Sequence, residues 1–154
     1  RCSARDCCSF SRDADMREIL PNLLWIGNTR DSHDVKNVLH LGIAAVIDLA
    51  LEEPAVRLTR EIIYCRLPLI DGAENQPVVL VTAVETVARL IQEEVPTLVA
   101  CSAGMSRSPA IVAAALSQVR GTDFETELRQ LAVNHPADVA PGLWNELQEL
   151  LKEA

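Results

Sequence analysis

The sequence predicts an α/β domain with a central, mostly parallel β-sheet flanked by helices. Two observations support this prediction. Short apolar runs of strand length alternate with longer segments of helical periodicity, and the run "TLVA" is wholly apolar, as strands covered on both faces are. With 154 residues, 49% of them hydrophobic, the chain can bury a core of the size that one domain needs.

The first half of the chain predicts three strands and one helix. Strands are expected at NLLWIGN (22–28), IAAVIDLA (43–50) and IIYCRLPL (62–69), which are short apolar runs. Between the first two of them, the spacing of the apolar residues over 31–42 predicts a helix that Gly42 ends.

A long helix and a buried strand are predicted next. Pro77 is suited to the first turn of a helix because the N–H that it lacks would have no partner there. This helix is expected to run to about Glu94 and to bury an apolar stripe consisting of Val81, Val84, Val87, Ala88 and Ile91. The strand TLVA (97–100) follows it.

Three more helices are predicted after that strand. The first begins near Arg107 and ends at Gly121. The stretch TDFE (122–125) has the pattern of a capping box, which predicts the start of a second helix over 124–135. Pro141 is expected to open the last helix, which reaches Leu151.

Charge and hydropathy exclude several classes of partner. The formal net charge is −8 and no Lys/Arg cluster occurs, which argues against a general nucleic-acid binder. No apolar run reaches the roughly 20 residues of a membrane span, and the N-terminal segment lacks the apolar block of a secretory signal. We therefore expect a cytoplasmic protein with a flexible tail over residues 1–15 and one domain over 16–154. The sequence does not predict an oligomeric state.

The cysteines and histidines form no recognisable metal or disulfide pattern. The five cysteines lie at positions 2, 7, 8, 65 and 101, and the three histidines at 33, 40 and 135. Neither set has the spacing of a metal site, so we expect free thiols in a reducing compartment and no metal or other cofactor.

The loop after the TLVA strand is the candidate site. It carries Cys101 directly after the strand and Arg107 at the start of the next helix. Ligands of α/β sheets bind at such strand ends, and the backbone N–H groups of a loop that turns into a helix can converge on an anion. The predicted phosphate-binding residues are Ser102, Ala103, Gly104, Met105, Ser106 and Arg107.

Three residues of this loop have distinct expected roles. Gly104 permits the unusual dihedral angles that such a turn needs. Arg107 can bind two phosphate oxygens with its planar guanidinium, a geometry that Lys lacks. The same positive field favours the thiolate form of Cys101, which makes it a candidate nucleophile at neutral pH.

The segment CSAGMSRS (101–108) resembles the Cys-x5-Arg-Ser/Thr phosphate-binding loop of the cysteine-based protein phosphatases, most closely the small dual-specificity group. The likeness extends over roughly residues 17–151. It includes EILPNLLWIGN and GIAAVIDLA, which are similar to that family's opening elements, and YCRLPLIDG, which resembles the strand that leads to its acid loop.

The resemblance implies a mechanism residue by residue. Cys101 would attack phosphorus and form a phosphocysteine, while Arg107 and the loop amides bind the phosphoryl oxygens. Asp71 would be the general acid and later the base, and Ser108 would donate a hydrogen bond to the departing thiolate. The implied substrates are phosphotyrosine and phosphoserine or phosphothreonine of proteins, or a small phosphomonoester, with no metal required.

Alternatives remain open for several of these residues. Asp71 could be a turn residue before Gly72, in which case Glu74 is the substitute acid. Ser108 could be a helix N-cap. Arg107 could be an ordinary cation on the helix surface.

The two internal cysteines also have alternatives. Cys101 could be a buried structural thiol, since cysteine packs as a small hydrophobic residue. Cys65 could form a protective disulfide with Cys101 under oxidation, or it could be core filler on its strand.

Residue 100 departs from the family's pattern, which has His directly before the nucleophile where this chain has Ala100. That His helps to orient the loop and favours the thiolate. We therefore predict an active but slow enzyme whose thiol ionises at higher pH than is usual for the family. The alternative function is a non-catalytic phosphate-binding module, a pseudophosphatase.

Overall fold

A computed structural model describes residues 16–154 of the chain. Five strands form one sheet in the order β1-β2-β5-β3-β4. The strands are β1 (Arg17–Leu20), β2 (Leu24–Gly27), β3 (Ala45–Ala50), β4 (Ile63–Leu69) and β5 (Thr97–Ala100). The pairs β2·β5, β5·β3 and β3·β4 are parallel, and only β1·β2 is antiparallel. The predicted α/β class with a mostly parallel sheet is confirmed, while the predicted tail over 1–15 lies outside the described residues.

Six helices accompany the sheet in this part of the chain. They are α1 (Thr29–His33), α2 (Val35–His40), α3 (Pro77–Gln92), α4 (Arg107–Arg120), α5 (Phe124–Asn134) and α6 (Pro141–Lys152). The four helices after β4 begin at or within two residues of the predicted positions, because Pro, Gly and the apolar period are strong local signals.

The single helix predicted over 31–42 is wrong. Two short helices, α1 and α2, meet at Asp34, whose dihedral angles of φ −81° and ψ 75° are not helical. The Asp34 carboxylate accepts a hydrogen bond from Asn37 N at 3.1 Å and so caps α2. The apolar residues behind the prediction, Val35, Val38, Leu39 and Leu41, all follow this break, so their spacing does not reveal it.

Two smaller predictions also need correction, and one strand was missed. The capping box over 122–125 does not form, because the N-cap of α5 is Asp123, which accepts from Thr126 N at 2.9 Å. Val81 is half-buried, and Leu80 and Ala83 are buried on α3 instead. Strand β1 was not predicted, since it is a four-residue edge strand that is partly exposed and has no apolar alternation.

The core lies on both faces of the sheet. Successive strand residues alternate between the faces, so that Ile47 and Val99 pack under α3 to α6, while Val46 and Leu98 face the side of α2. Helix α4 crosses the larger cluster, and every residue from Arg107 to Ser117 is buried. Among the described helices, none is long and apolar enough to span a membrane.

This topology positions the candidate site. Because β2, β5, β3 and β4 run parallel, their carboxyl ends lie at the same edge of the sheet. The residues that follow β5, β3 and β4 therefore come together there, although they are up to 50 positions apart in the chain.

Candidate active site

Cys101 directly follows β5, and the loop 101–106 connects it to α4. The Cys101 side chain is buried, with 3% of the residue exposed. Its Sγ accepts a hydrogen bond from the backbone N–H of Gly104 at 3.2 Å. The loop therefore curls over the sulfur and directs at least one backbone N–H at it.

Surrounding segments bind the carbonyl groups of this loop. Thr29 N donates to Ser102 O at 3.2 Å, and Asp138 N donates to Met105 O at 2.7 Å. Because these carbonyls are held by neighbouring segments, the orientation of the intervening peptide planes is fixed.

Four amides of the loop have no such partner. The N–H groups of Ser102, Ala103, Met105 and Ser106 find no acceptor within residues 16–154. Backbone N–H groups are seldom left unpaired where water cannot reach them, so they are available to an anion or to solvent in the cavity above Cys101.

Gly104 fits the loop against the end of β2. Its φ is +72°, and a Cβ at this position would lie 2.9 Å from Gly27 O, so only glycine is accommodated without displacement. Gly104 O accepts a hydrogen bond from the guanidinium of Arg17, which also donates to Pro136 O at 2.5 Å. A side chain on β1 thus ties the loop to the segment before α6.

Arg107 is the first residue of α4, and only 2% of it is exposed. Its Nη1 and Nη2 donate to the two carboxylate oxygens of Glu52, at 2.7 and 2.5 Å, and Nη1 also donates to Leu69 O at 3.0 Å. Nε is buried and has no partner within the described residues. The interpretation of Arg107 as a surface cation is wrong, because the side chain is directed into the site.

The ion pair between Arg107 and Glu52 shifts the titration of both groups. The hydrogen bonds from Arg107 lower the pKa of Glu52 from 4.5 to about 2 against the opposing effect of burial. Burial lowers the pKa of Arg107, but the hydrogen bonds to Glu52 and the electrostatic attraction to Cys101, Glu52 and Asp71 together raise it above its ordinary value. Both groups are therefore charged at neutral pH.

Glu52 is a site residue that the sequence analysis missed. It follows β3, and its Oε1 also accepts from Ser102 Oγ at 2.5 Å. An acidic residue just after a buried strand was the available signal. It becomes informative only once β3 is known to be the neighbour of β5, which the strand order decides.

Asp71 lies at the mouth of a cavity of about 340 Å³ above Cys101. The residues that line it are Glu52, Asp71, Cys101, Ser102, Ala103, Met105, Ser106, Arg107 and Asp138. Glu74 does not line this cavity, and its backbone N donates to Glu146 Oε1 at 2.6 Å. The geometry therefore favours Asp71 over Glu74 as the acid, because a general acid must be able to reach the reacting atoms.

The loop that carries Asp71 is anchored on both sides. Asn75 Oδ1 accepts from Ile70 N at 2.7 Å, and Asn75 Nδ2 donates to Gly72 O at 2.8 Å and to Glu146 Oε2 at 3.0 Å. Asn75 N donates to Glu146 Oε1 at 3.2 Å. Asn75 and Glu146 of α6 were not predicted, since no local pattern relates residues 71 positions apart.

Ser108 lies in the first turn of α4 and is fully buried. Its Oγ has no hydrogen-bond partner within the described residues. The helix N-cap is Ser106, whose Oγ accepts from Ala140 N at 2.9 Å rather than capping the helix. The alternative of Ser108 as the N-cap is therefore wrong.

The remaining predicted positions pack into the core. Cys65 on β4 is half-buried against the larger cluster, and both Cys65 and Cys101 are free thiols. Ala100 is 1% exposed in the smaller cluster, where it packs with Val46 and Leu98. No group of three or more His, Cys, Asp or Glu within residues 16–154 is placed to hold a metal ion.

A comparison with curated proteins finds one relative in the fruit fly. The chain is 26% identical over 136 residues to "Dual specificity protein phosphatase Mpk3" of Drosophila melanogaster. This match covers 87% of the chain but only 33% of the relative, so the chain spans about a third of the relative's length. No protein-family model matches.

Solved structures resemble the chain over most of its length. Human DUSP28 has a TM-score of 0.77 at 22% identity, covering 90% of this chain and 96% of its own. A mouse putative dual specificity phosphatase complexed with zinc tungstate has a TM-score of 0.81 at 23% identity, covering 94% and 91%. The human tyrosine phosphatase-like serine/threonine/tyrosine-interacting protein has a TM-score of 0.75 at 23% identity, covering 90% and 96%.

These comparisons confirm the resemblance to the small dual-specificity phosphatases. The TM-scores show that the chain has the fold of these solved structures, and at identities below 25% the likeness shows the fold alone. The chemistry of the site is therefore argued below from its own residues.

Proposed function

We propose that residues 16–154 form a catalytic domain that hydrolyses phosphomonoesters through a phosphocysteine intermediate. The preferred substrates are phosphotyrosine and phosphoserine or phosphothreonine of proteins. One observation carries the proposal: a single loop-to-helix turn holds the buried Cys101 sulfur, the Gly104 amide directed at it, and Nε of Arg107, which has no partner among the described residues.

In the first step, the Cys101 thiolate attacks phosphorus in line with the leaving oxygen. The S–P bond forms as the P–O bond to the substrate breaks. The free amides of the loop and the guanidinium of Arg107 bind the equatorial oxygens, so the charge of the transition state meets donors that are already oriented. No metal is needed, because Arg107 and the amides supply the positive field.

Protons are moved by Asp71. Its carboxylic acid protonates the leaving oxygen as the P–O bond breaks, and the resulting carboxylate then takes a proton from the water that attacks the phosphocysteine. The S–P bond breaks, inorganic phosphate forms, and Cys101 is again a thiolate. The buried Ser108 hydroxyl, which has no partner among residues 16–154, donates a hydrogen bond to that thiolate.

Broad selectivity is part of the proposal. The chain contains a single tyrosine, Tyr64, and it donates a hydrogen bond to Asp48 Oδ2 at 2.7 Å, so it is engaged away from the cavity. Within the part of the chain that the structure describes, no aromatic side chain lines the cavity above Cys101. A site without an aromatic wall suits short as well as long phosphorylated side chains. The cytoplasmic location stays a prediction.

A non-catalytic phosphate-binding module is the second candidate. It is favoured by Ala100, which stands where the family has His, and by the likeness to a human protein described as phosphatase-like and interacting. Such a module would bind phosphoproteins in the same cavity without releasing phosphate.

The test is hydrolysis of para-nitrophenyl phosphate, measured once with a chelator and, in separate assays without the chelator, with and without vanadate. We expect vanadate-sensitive turnover in the parent, none in Cys101→Ser, and unchanged turnover in the matched control Cys65→Ser. Equal rates in the parent and Cys101→Ser would overturn the catalytic proposal. Tungstate binding without turnover in the parent would establish the phosphate-binding module instead.

Phosphopeptides then test the substrate class. We expect release of phosphate from both phosphotyrosine and phosphothreonine peptides. Release from neither peptide by a protein that hydrolyses the nitrophenyl ester would redirect the proposal to small phosphomonoesters.

A further inference from the structure

Arg107 has two edges with which it can bind an anion. A guanidinium carries five N–H groups in one plane: Nη1 and Nη2 form its end, and Nε and Nη2 form its side. If one of these edges is hydrogen-bonded to another group, only the other edge can bind a phosphoryl group. The hydrogen bonds of Arg107 therefore indicate which edge serves the site.

We propose that Glu52 is a positioning residue that binds the end of the Arg107 guanidinium and so presents its side to the phosphoryl group. This inference rests on the proposed function. Nη1 has two hydrogens, and both are engaged, with Glu52 Oε2 at 2.7 Å and with Leu69 O at 3.0 Å. One hydrogen of Nη2 is engaged with Glu52 Oε1 at 2.5 Å.

The donors that remain are those of the side edge. Among residues 16–154, the buried Nε has no partner and the second hydrogen of Nη2 has only Ser102 Oγ, at 3.2 Å. The loop residues before Arg107 line the same cavity as the guanidinium, so a phosphoryl group over Cys101 can be bound by Nε and Nη2 together.

Glu52 also offsets the free-energy cost of burying the Arg107 guanidinium. The Arg107 side chain is 3% exposed, whereas that of Glu52 is 53% exposed, so the carboxylate reaches the guanidinium from the open side of the cavity. A buried charge is tolerated only when it is paired and hydrogen-bonded. Glu52 supplies this pairing while the site is empty of phosphate.

A carboxylate beside a phosphate site has a second effect, which is repulsion. The phosphoryl group keeps about the same total charge in the bound substrate and in the transition state. Repulsion by Glu52 therefore weakens the binding of the substrate and of the transition state to a similar degree. The orientation of Arg107, in contrast, matters most in the transition state, where the equatorial oxygens accept hydrogen bonds from both Nε and Nη2. Positioning therefore affects kcat, whereas repulsion affects KM.

The decisive variant is Glu52→Gln, which keeps the size of the side chain and removes its charge. We expect kcat for para-nitrophenyl phosphate to fall about tenfold while KM stays equal or falls. Inhibition by vanadate, which resembles the transition state, should weaken by a similar factor. Inhibition by inorganic phosphate should change much less.

Three controls separate positioning from a general effect on the fold. Glu53→Gln is the same substitution one residue further on, and we expect unchanged kcat. Glu52→Asp keeps the charge but is shorter by one methylene, so kcat should lie between the values of the parent and Glu52→Gln. In an Arg107→Lys background, the loss caused by Glu52→Gln should disappear, because Lys has no edges to select.

The possible outcomes are distinct. A parent that shows no Cys101-dependent turnover defeats the proposed function. An active parent whose kcat is unchanged or raised by Glu52→Gln overturns the positioning role and leaves the proposed function standing. A loss that persists undiminished in the Arg107→Lys background overturns it as well, since it would then not act through Arg107.

Discussion

Gly104 lies against the carbonyl of Gly27, at the point where the loop after β5 passes the end of β2. A Cβ on Gly104 would be 2.9 Å from Gly27 O and 3.1 Å from Gly27 C, and the φ of Gly104 is +72°. The neighbouring atoms are backbone, which cannot move aside as the tip of a side chain can. The loop that covers Cys101 therefore depends on the absence of a side chain here.

Gly104→Ala should destabilise the protein by about 3 kcal/mol, combining the left-handed conformation with an overpacked contact. It should also abolish turnover. Gly42→Ala is the matched control, because Gly42 has a φ of +73° but nothing within 4 Å of its Cβ position. The free energy of unfolding of that variant, measured in urea, should fall by only about 1 kcal/mol. Equal losses in the two variants would contradict the role assigned to the Gly27 contact.

Asp71→Asn should slow the hydrolysis of alkyl phosphates, such as phosphothreonine peptides, by about 100-fold. The loss for para-nitrophenyl phosphate should be smaller, because nitrophenolate leaves without needing a proton. Rates on the two substrates measure this difference. Glu74→Gln serves as the control and should change neither rate, since Glu74 does not line the cavity. A larger loss from Glu74→Gln would transfer the acid role to that residue.

Glu146→Ala should lower kcat without weakening inhibition by inorganic phosphate. Glu146 accepts hydrogen bonds from Glu74 N, Asn75 N and Asn75 Nδ2, so its removal releases the loop that carries Asp71 but leaves the loop over Cys101 intact. The cost in stability should be about 1–3 kcal/mol. Glu149→Ala, an exposed position on the same helix, should match the parent in both measurements.

The pairing of Glu52 with Arg107 predicts a dependence of stability on pH. The folded pKa of Glu52, about 2, lies below its ordinary value of 4.5, so the ionised form stabilises the fold. That contribution is fully present above pH 4.5 and is lost as the pH falls toward 2. The stability difference between the parent and Glu52→Gln should therefore narrow over this range. Urea unfolding between pH 2.5 and 7 measures it, and a constant difference would contradict the pairing.

The local features of the chain were predictable from the sequence. The strands β2 to β5 and the helices from α3 onward depend on the spacing of apolar residues, on Pro and Gly at their ends and on burial. All of these can be recognised in contiguous residues. The juxtaposition of Cys101, Gly104 and Arg107 was predictable for the same reason. Six residues between a buried strand and a helix leave few paths for the backbone.

The partners of that loop were decided by the tertiary structure alone. Glu52 reaches Arg107 only because β3 lies beside β5, and Arg17 reaches Gly104 only because β1 forms the far edge of the sheet next to β2. Likewise, Glu146 binds Asn75 in the loop that carries Asp71, because α6 packs against that loop at Gly142 and Ala73. Such contacts join residues 55 to 87 positions apart, and the energy that selects them comes from burying the whole core rather than from any local pattern.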